Sequence, residues 1–296
     1  MDTLTDLAAL IARHSPGDGE HHVTLARVGL IRSSSVTEPL HTLYEPSCCI
    51  VAQGRKRATA GETHHVYDAA HYLVVGVDLP VIGAVIEASA DAPYLSLRLE
   101  LNRDLLAEMV QGQPVGADDT KGAGVSEATP QLIDAAARLL RLLDAPEDAA
   151  LAPLIEQEIL HRLLNGSQGG ILRQIANGES RLSQIRRAVD FIRQNYGTPF
   201  AIEDLASIAA MSQSSFYEHF RSVTAMSPLQ FRTHIRLQEA RRLMVMDGIT
   251  AAEAGFRVGY ESPSQFNRDY VRVHHVPPRQ DVARMMGEPG TKDLAH

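Results

Sequence analysis

The chain has 296 residues, long enough for two domains that each bury a core. With 44% hydrophobic and 22% charged residues it is composed like a folded globular protein, and no apolar run reaches the roughly 18 residues of a transmembrane helix. The net charge of −8 speaks against a polyanionic partner until it is divided: residues 181–286 hold 14 Arg, no Lys and 10 Asp plus Glu, a local charge of +4 that leaves −12 elsewhere. Met1-Asp2-Thr3-Leu4 lacks the basic region and long apolar stretch of a signal peptide. Cys48 and Cys49 are the only cysteines, which is no disulfide framework, so a reducing cytoplasm is expected.

Residues 3–13 space Leu4, Leu7, Leu10 and Ile11 as one face of a short helix, ended by Pro16-Gly17-Asp18-Gly19. Over residues 23–101, short apolar stretches around Cys48, Tyr72 and Ala84 alternate with Gly, Pro, Asp and Ser. Leu95, Leu97, Leu99 and Leu101 fall at every second position. That is the pattern of many short strands in a barrel or sandwich. Residues 102–110 read as helical and 112–124 as a long loop. Residues 132–143 and 151–164 have helical apolar spacing and join through 145–148 as a hairpin, which serves either as internal core or as a dimer seam. Gly166 to Gly170 and Ala176 to Gly178 are candidate hinges, and from Leu182 onward helices with tight turns are expected.

That last region repeats itself. Ser212, Phe216, Phe220, Val223 and Pro228 recur 50 positions later as Ser262, Phe266, Tyr270, Val273 and Pro278, which marks a duplicated unit. Ser227-Pro228-Leu229-Gln230 and Ser262-Pro263-Ser264-Gln265 place Ser at the N-cap, Pro first in the helix and Gln third, and Thr250 to Glu253 is a further capping box. Between the copies, residues 228–246 make one helix with two apolar stripes: Leu229, Leu237, Ala240 and Met244 on one side, Phe231 and Ile235 on the other. Such a helix packs on both sides, as a strut between two small units. A shorter helix precedes each repeat helix, at 202–209 and 251–258. Ala206, Ala209, Ala254 and Gly255 allow close crossing, and Gly259 makes the turn in the second copy.

Helix, tight turn and second helix is the grammar of a major-groove reader. With Phe216, Phe220 and Val223 turned inward, Ser214, Tyr217, Glu218 and Arg221 project outward; Phe266, Tyr270 and Val273 likewise leave Ser264, Asn267 and Arg268 outside. Gln213 and Gln265 open these two faces. Asn, Arg and Glu are the residue types that pair with adenine, guanine and cytosine edges. A plain all-α domain with solvated polar faces is the rival, but it leaves the repeat, the strut and the arginine excess unexplained together.

The residues also resemble a known family. Gly259-Tyr260-Glu261-Ser262-Pro263-Ser264-Gln265-Phe266, Val276-Pro277-Pro278, Met226-Ser227-Pro228-Leu229-Gln230-Phe231 and Leu237-Gln238-Glu239-Ala240-Arg241-Arg242-Leu243 are similar to the signature of AraC/XylS-type transcriptional regulators, over residues 181–286. Tyr44-Glu45-Pro46-Ser47 and Val51-Ala52-Gln53-Gly54-Arg55-Lys56, with Asp78-Leu79-Pro80 and Pro93-Tyr94-Leu95, resemble one subfamily's regulatory domain. The resemblance implies a two-domain α+β protein: a cupin-like β-barrel with a helical appendage over residues 1–170, then an all-α domain over 181–286 with two helix-turn-helix units. Double-stranded promoter DNA, an unidentified small-molecule effector and RNA polymerase are the implied partners, with a homodimer as the symmetric assembly and activation as the implied output. No cofactor is expected. Ala201 stands where the family has a capping hydroxyl, and Ala225 and His275 stand where it commonly has glycine.

Cys48 and Cys49 are candidates for sensing an electrophile. Neighbours on a strand face opposite ways, so only one of them can look into a barrel, and a reactive thiol needs an electropositive setting, which Arg55 and Lys56 could supply. His41, His64, His65 and His71 raise the alternative of a metal-dependent cupin-type enzyme with a helical tail. No His-x-His pair occurs and the adjacent His64 and His65 point apart, so no metal site is expected. A DNA-repair alkyl-transfer protein would need a dispersed cysteine cluster, and only the vicinal pair exists.

Overall fold

The computed structural model describes residues 3–111 and 121–286; positions 112–120 of the expected loop lie outside that range. Among the described residues the first half holds ten antiparallel strands: β1 (Gly19–His22), β2 (Val28–Ser33), β3 (Leu40–Tyr44), β4 (Ser47–Gln53), β5 (Arg55–Ala60), β6 (Thr63–Asp68), β7 (His71–Val75), β8 (Leu79–Glu87), β9 (Tyr94–Glu100) and β10 (Ala123–Glu127). They form two sheets, ordered β1-β2-β9-β4-β7-β10 and β3-β8-β5-β6. The last strand occupies the end of the expected loop. Among the described residues no ladder joins β1 to β3 or β6 to β10, so the sheets face each other as an open sandwich and the expected barrel is not closed. On the β1/β3 side the chain crosses between the sheets through residues 34–39, which form no strand and include Pro39, with no N–H to donate.

Strand register sorts the two cysteines. Cys48 lies opposite Leu99 and Val74, whereas Cys49 lies opposite Arg98 and Leu73. Alternation along the strand puts Cys48 with Ile50, Leu97 and Leu99 on the outer face, under a layer of helices, and Cys49 on the inner face between the sheets. That outer layer starts with α1 (Thr3–His14), whose Leu7, Leu10 and Ile11 are buried against β2, β4 and β9. Next come α3 (Pro130–Arg141) on α1 and α4 (Ala152–Leu164) on α3, with α2 (Arg103–Val110) and α5 (Gly169–Ala176) alongside. Leu132, Ile133, Leu139, Leu140, Ile159, Leu160, Leu163 and Leu164 are all buried, so the hairpin's apolar stripe is internal core; Leu151 and Leu154 stay exposed. Arg27 clamps the buried Glu156 with two hydrogen bonds of 2.9 and 2.5 Å, tying α4 back to the turn before β2. The first candidate hinge is a tight helix-to-helix turn: a Cβ on Gly169 would lie 2.1 Å from the Leu164 carbonyl oxygen, so only glycine fits.

The second half is helical: α6 (Arg181–Asn195), α7 (Ile202–Ile208), α8 (Gln213–Thr224), α9 (Pro228–Met246), α10 (Ala251–Arg257), α11 (Pro263–His274) and α12 (Pro278–Met285). The strut is as expected. Phe231 and Ile235 of α9 join the core with Phe216 and Phe220 of α8, while Leu237, Ala240, Leu243 and Met244 build a separate core with Ala254, Phe266 and Tyr270. Leu229 departs from its expected stripe and is 54% exposed, because it sits in the first turn beyond the end of the second core.

The duplication also shifts by one. Helices α7 and α10 start 49 residues apart, and α8 and α11 start 50 apart, so Glu261 is an extra residue in the second turn. Ala210 (φ 53°) and Gly259 (φ 91°) take the left-handed position in the two turns. Caps follow expectation in part. Ser227 and Gln230 make both bonds of a capping box, and the Thr250 hydroxyl accepts from Glu253 N. Ser262, at φ −138°, makes no such bond. Ala225 and His275 end α8 and α11 at φ 58° and 62°, the conformation glycine adopts without steric cost. No helix among the described residues is long and apolar enough to cross a membrane.

Candidate nucleic-acid interface and ligand cavity

Two buried aromatic stripes fix the orientation of α8 and α11. Phe216 and Phe220 lie 5.4 Å apart and are fully buried, and Phe266 and Tyr270 repeat the arrangement at 5.5 Å. Gly255 of α10 lets α11 approach, since a Cβ there would stand 2.9 Å from the Phe266 ring. With those stripes inward, Gln213, Ser214, Tyr217, Glu218 and Arg221 on α8 are exposed, as are Ser264, Gln265, Asn267 and Arg268 on α11. Gln213 donates to Glu203 of α7 at 2.9 Å. The sequence thus identified which face of each helix is exposed.

The arginine excess is less available than its count suggests. Arg232 and Arg236 donate to backbone carbonyls of Tyr196, Gly197 and Thr198 and stack on Phe200 and Tyr260, stapling α9 to the loop after α6. Arg241 pairs with buried Asp281 at 2.9 Å, and Arg193 pairs with Asp78 of the β-domain. Arg187, Arg232 and Arg236 have carbonyl partners instead of carboxylates, whereas Arg268 and Arg279 have neither among the described residues. Arg268 therefore presents an uncommitted guanidinium on the face expected to read bases.

The two halves meet along a seam of titratable groups. His41 of β3 lies edge-on to His274 at 4.4 Å between ring centroids and stacks over His234 of α9 at 6.4 Å. Burial, reinforced by His234 and Arg241, lowers the His41 pKa to about 4; burial, then His41 and Arg241, lowers that of His274 to about 2. Neither ring nitrogen of His274 has a hydrogen-bond partner. Beside this cluster, α8 ends under two glycines of the β-domain: a Cβ on Gly61 would lie 2.0 Å from the Ala225 oxygen, and one on Gly122 would lie 2.1 Å from that of Val223. Glu62 reaches Arg221 at 3.5 Å. The histidines considered as metal ligands are dispersed: His41 is in the seam, His64 bonds Thr59 and His71 pairs with Asp68. No group of three or more His, Cys, Asp or Glu among the described residues is arranged to hold a metal.

Between the sheets lies a cavity of about 740 Å³ lined by Cys49, Leu73, Val75 and Arg98 from one side and Tyr44, Lys56, Tyr67 and Val85 from the other. Lys56 points inward because it pairs with Tyr67 and Val85 across its neighbours, after a bulge that turns Arg55 outward to Asp68 and Glu87. Cys48 is fully buried on the opposite face, and burial pushes its thiol well up. Only Cys49 of the pair borders the cavity. The sequence flagged Lys56 merely as a charge near the cysteines and gave no sign of Tyr67 or of the seam, whose partners meet only through tertiary packing.

Residues 24–171, half of the chain, match the family model for the AraC-type transcriptional regulator N-terminus, and residues 205–284 match a helix-turn-helix domain. Among curated relatives, the lactose operon transcription activator of Staphylococcus xylosus is 30% identical over 92 residues, 31% of this chain and 33% of that protein. The RCS-specific HTH-type transcriptional activator RclR of Escherichia coli (strain K12) is 31% identical over 117 residues, 40% of this chain and 35% of its own. Each match thus spans about a third of the relative's length. Among solved structures, ToxT from Vibrio cholerae with an unsaturated fatty acid bound superposes with a TM-score of 0.56 at 9% identity, covering 90% of this chain and 96% of ToxT. Identity that low shows a shared two-domain fold and nothing more. The curated relatives named are regulators, which supports the regulatory reading and lends none to the cupin-enzyme alternative. On the match to half of its length, with the helix-turn-helix match behind it, the chain belongs to the AraC-type transcriptional regulators.

Proposed function

We propose that this protein is a sequence-specific regulator that lays α8 and α11 into successive major-groove segments of promoter DNA, under control of a small-molecule or electrophile signal received by its β-domain. One observation carries the reading: two equivalent helices, held by separate aromatic cores on one strut, both present polar faces to solvent. Relatives described as activators favour activation, with RNA polymerase as the recruited partner and the cytoplasm as the working compartment. A homodimer would suit paired half-sites. Arg268→Ala tests the base-reading role. It is expected to relax preference at one base position by about 1–3 kcal/mol while leaving binding to other sequences in place. Equal weakening on every duplex, measured by competition, would assign Arg268 to phosphate contact instead.

The ligand cavity is placed to influence DNA reading. Its rim residues Glu38 and Glu45 pair with Arg284 of α12 and Arg193 of α6, so a ligand that moves the rim shifts how the DNA-reading half is held. Cys49 on the cavity wall is the electrophile candidate, and Cys48 is not. Mass spectrometry of the native protein treated with N-ethylmaleimide should find the adduct on Cys49 alone. Labelling of Cys48 at an equal rate would remove the distinction.

A further inference from the structure

The charges around the β-domain cavity are not evenly satisfied. Four carboxylates stand at its rim, and each has an arginine: Asp18 with Arg32 at 4.0 Å, Glu20 with Arg98 at 2.7 Å, Glu45 with Arg193 at 3.8 Å, and Glu38 with Arg284. Inside, Lys56 has no carboxylate within ion-pair distance among the described residues. Its ammonium lies 5.3 Å from the Tyr44 ring centroid and 5.9 Å from that of Tyr94. Aromatic faces stabilise a cation but offer it no anionic oxygen. The hydroxyls of Tyr44 and Tyr67, both on the cavity wall, are buried with no hydrogen bond of normal geometry; Tyr44 interacts with Lys56 and Tyr67, but neither contact brings an anion, and Tyr67 is only 1% exposed. A buried hydroxyl held this way is destabilising until a well-aligned partner reaches it.

The remaining walls are apolar: Ile31, Leu43, Leu73, Val75 and Val85 line the space that leads away from Lys56. One cation without a counter-ion and two phenols without a well-formed hydrogen bond thus sit at the edge of an oily compartment of about 740 Å³, within the size range of small-molecule sites. Burial works to lower the Lys56 pKa, but Tyr44 and Cys49 more than offset this and hold it above the ordinary lysine value, so the ammonium is charged at neutral pH.

We propose that the cavity binds an amphipathic monocarboxylate, its carboxylate seated on the Lys56 ammonium with the Tyr44 and Tyr67 hydroxyls donating to it, and its apolar body between the sheets. This rests on the reading of the β-domain as the signal-receiving half and names the chemistry of that signal. A carboxylate accepts several donors at once and neutralises the single cation, which a neutral sugar or a dianionic phosphate would not do. A cationic ligand is disfavoured because Lys56 already holds the aromatic site.

The test is calorimetric titration of the full chain with decanoate and, in parallel, with decan-1-ol, which has the same tail and no charge. Decanoate should bind at least about tenfold more tightly than decan-1-ol, the effect of one charge-assisted bond. Lys56→Met should erase that preference, Lys56→Arg should keep it, and Tyr67→Phe should weaken decanoate severalfold without affecting the alcohol. Absence of decanoate binding, equal binding of the alcohol, or an unchanged preference in Lys56→Met would each overturn the proposal. Should Lys56→Met not fold, the Lys56→Arg and Tyr67→Phe pair decides it alone. Sequence-specific DNA binding by the same preparation separates the two readings: a protein that recognises DNA but ignores decanoate refutes the ligand assignment and leaves the regulator standing.

Discussion

Asp281→Ala is expected to unfold the second DNA-reading unit while sparing the first. Asp281 is 4% exposed, accepts from the Tyr270 hydroxyl at 2.7 Å and from Arg241 at 3.0 Å, and so pins α12 to α11 and α9 together. Removing its carboxylate leaves a nearly buried guanidinium without a counter-ion and a buried phenol without an acceptor. Breaking such a pair from one side costs about 3–5 kcal/mol. The second core contains only nine buried apolar side chains, and small domains have little stability to spare. The outcome should be read by hydrogen exchange: amides of α10, α11 and α12 lose protection while β4, β7 and β9 keep theirs. Asp281→Asn, which can still accept from Tyr270, should fall between the two. Unchanged protection in α11 would mean that the ion pair is incidental.

Acidification is expected to loosen the seam between the halves well before it harms either half. In separated domains His41 and His274 would titrate near the ordinary value of about 6.5, whereas docking lowers them to about 4 and about 2, in both cases chiefly through burial. His234, also lowered by burial, adds to the effect. Below about 6.5 the separated form therefore binds more protons than the docked form, so docking is fully stable above that pH and loses stability as pH falls toward 4. Other charged or titratable groups at the cluster are Arg241, His275 and Asp281. Exchange in β3 and at the C-terminal end of α11 should accelerate across that range in the wild type and much less in the double variant His41→Phe, His274→Phe, which keeps only the His234 contribution. Exchange that slows on acidification would contradict the sign.

What the sequence disclosed was local. The spacing of Phe216, Phe220, Phe266 and Tyr270 reports directly which face of each helix is buried, so the exposed residues opposite them could be named correctly. The two stripes of α9 were legible for the same reason, apart from Leu229 at its first turn. Strand alternation separated Cys48 from Cys49 but could not say which looked inward; that depends on where the helices cover the sheet. A bulge between Arg55 and Lys56, a barrel left open at β1 and β3, and Ser262 failing to cap are outcomes of tertiary competition. Counting arginines misled most. Most of those in the second half are committed to carbonyls or carboxylates of their own chain, and composition cannot distinguish a staple from a free charge.

In the proposed mode of action two sibling helices read neighbouring stretches of duplex. Selecting high-affinity sites from a pool of randomised duplexes with the full chain, then footprinting the winners, tests it most directly. Two short specified blocks about 10 bp apart on one face of the DNA are expected, with the block contacted by α11 blurred in the Arg268→Ala protein. A single block, or enrichment of no sequence at all, would contradict it.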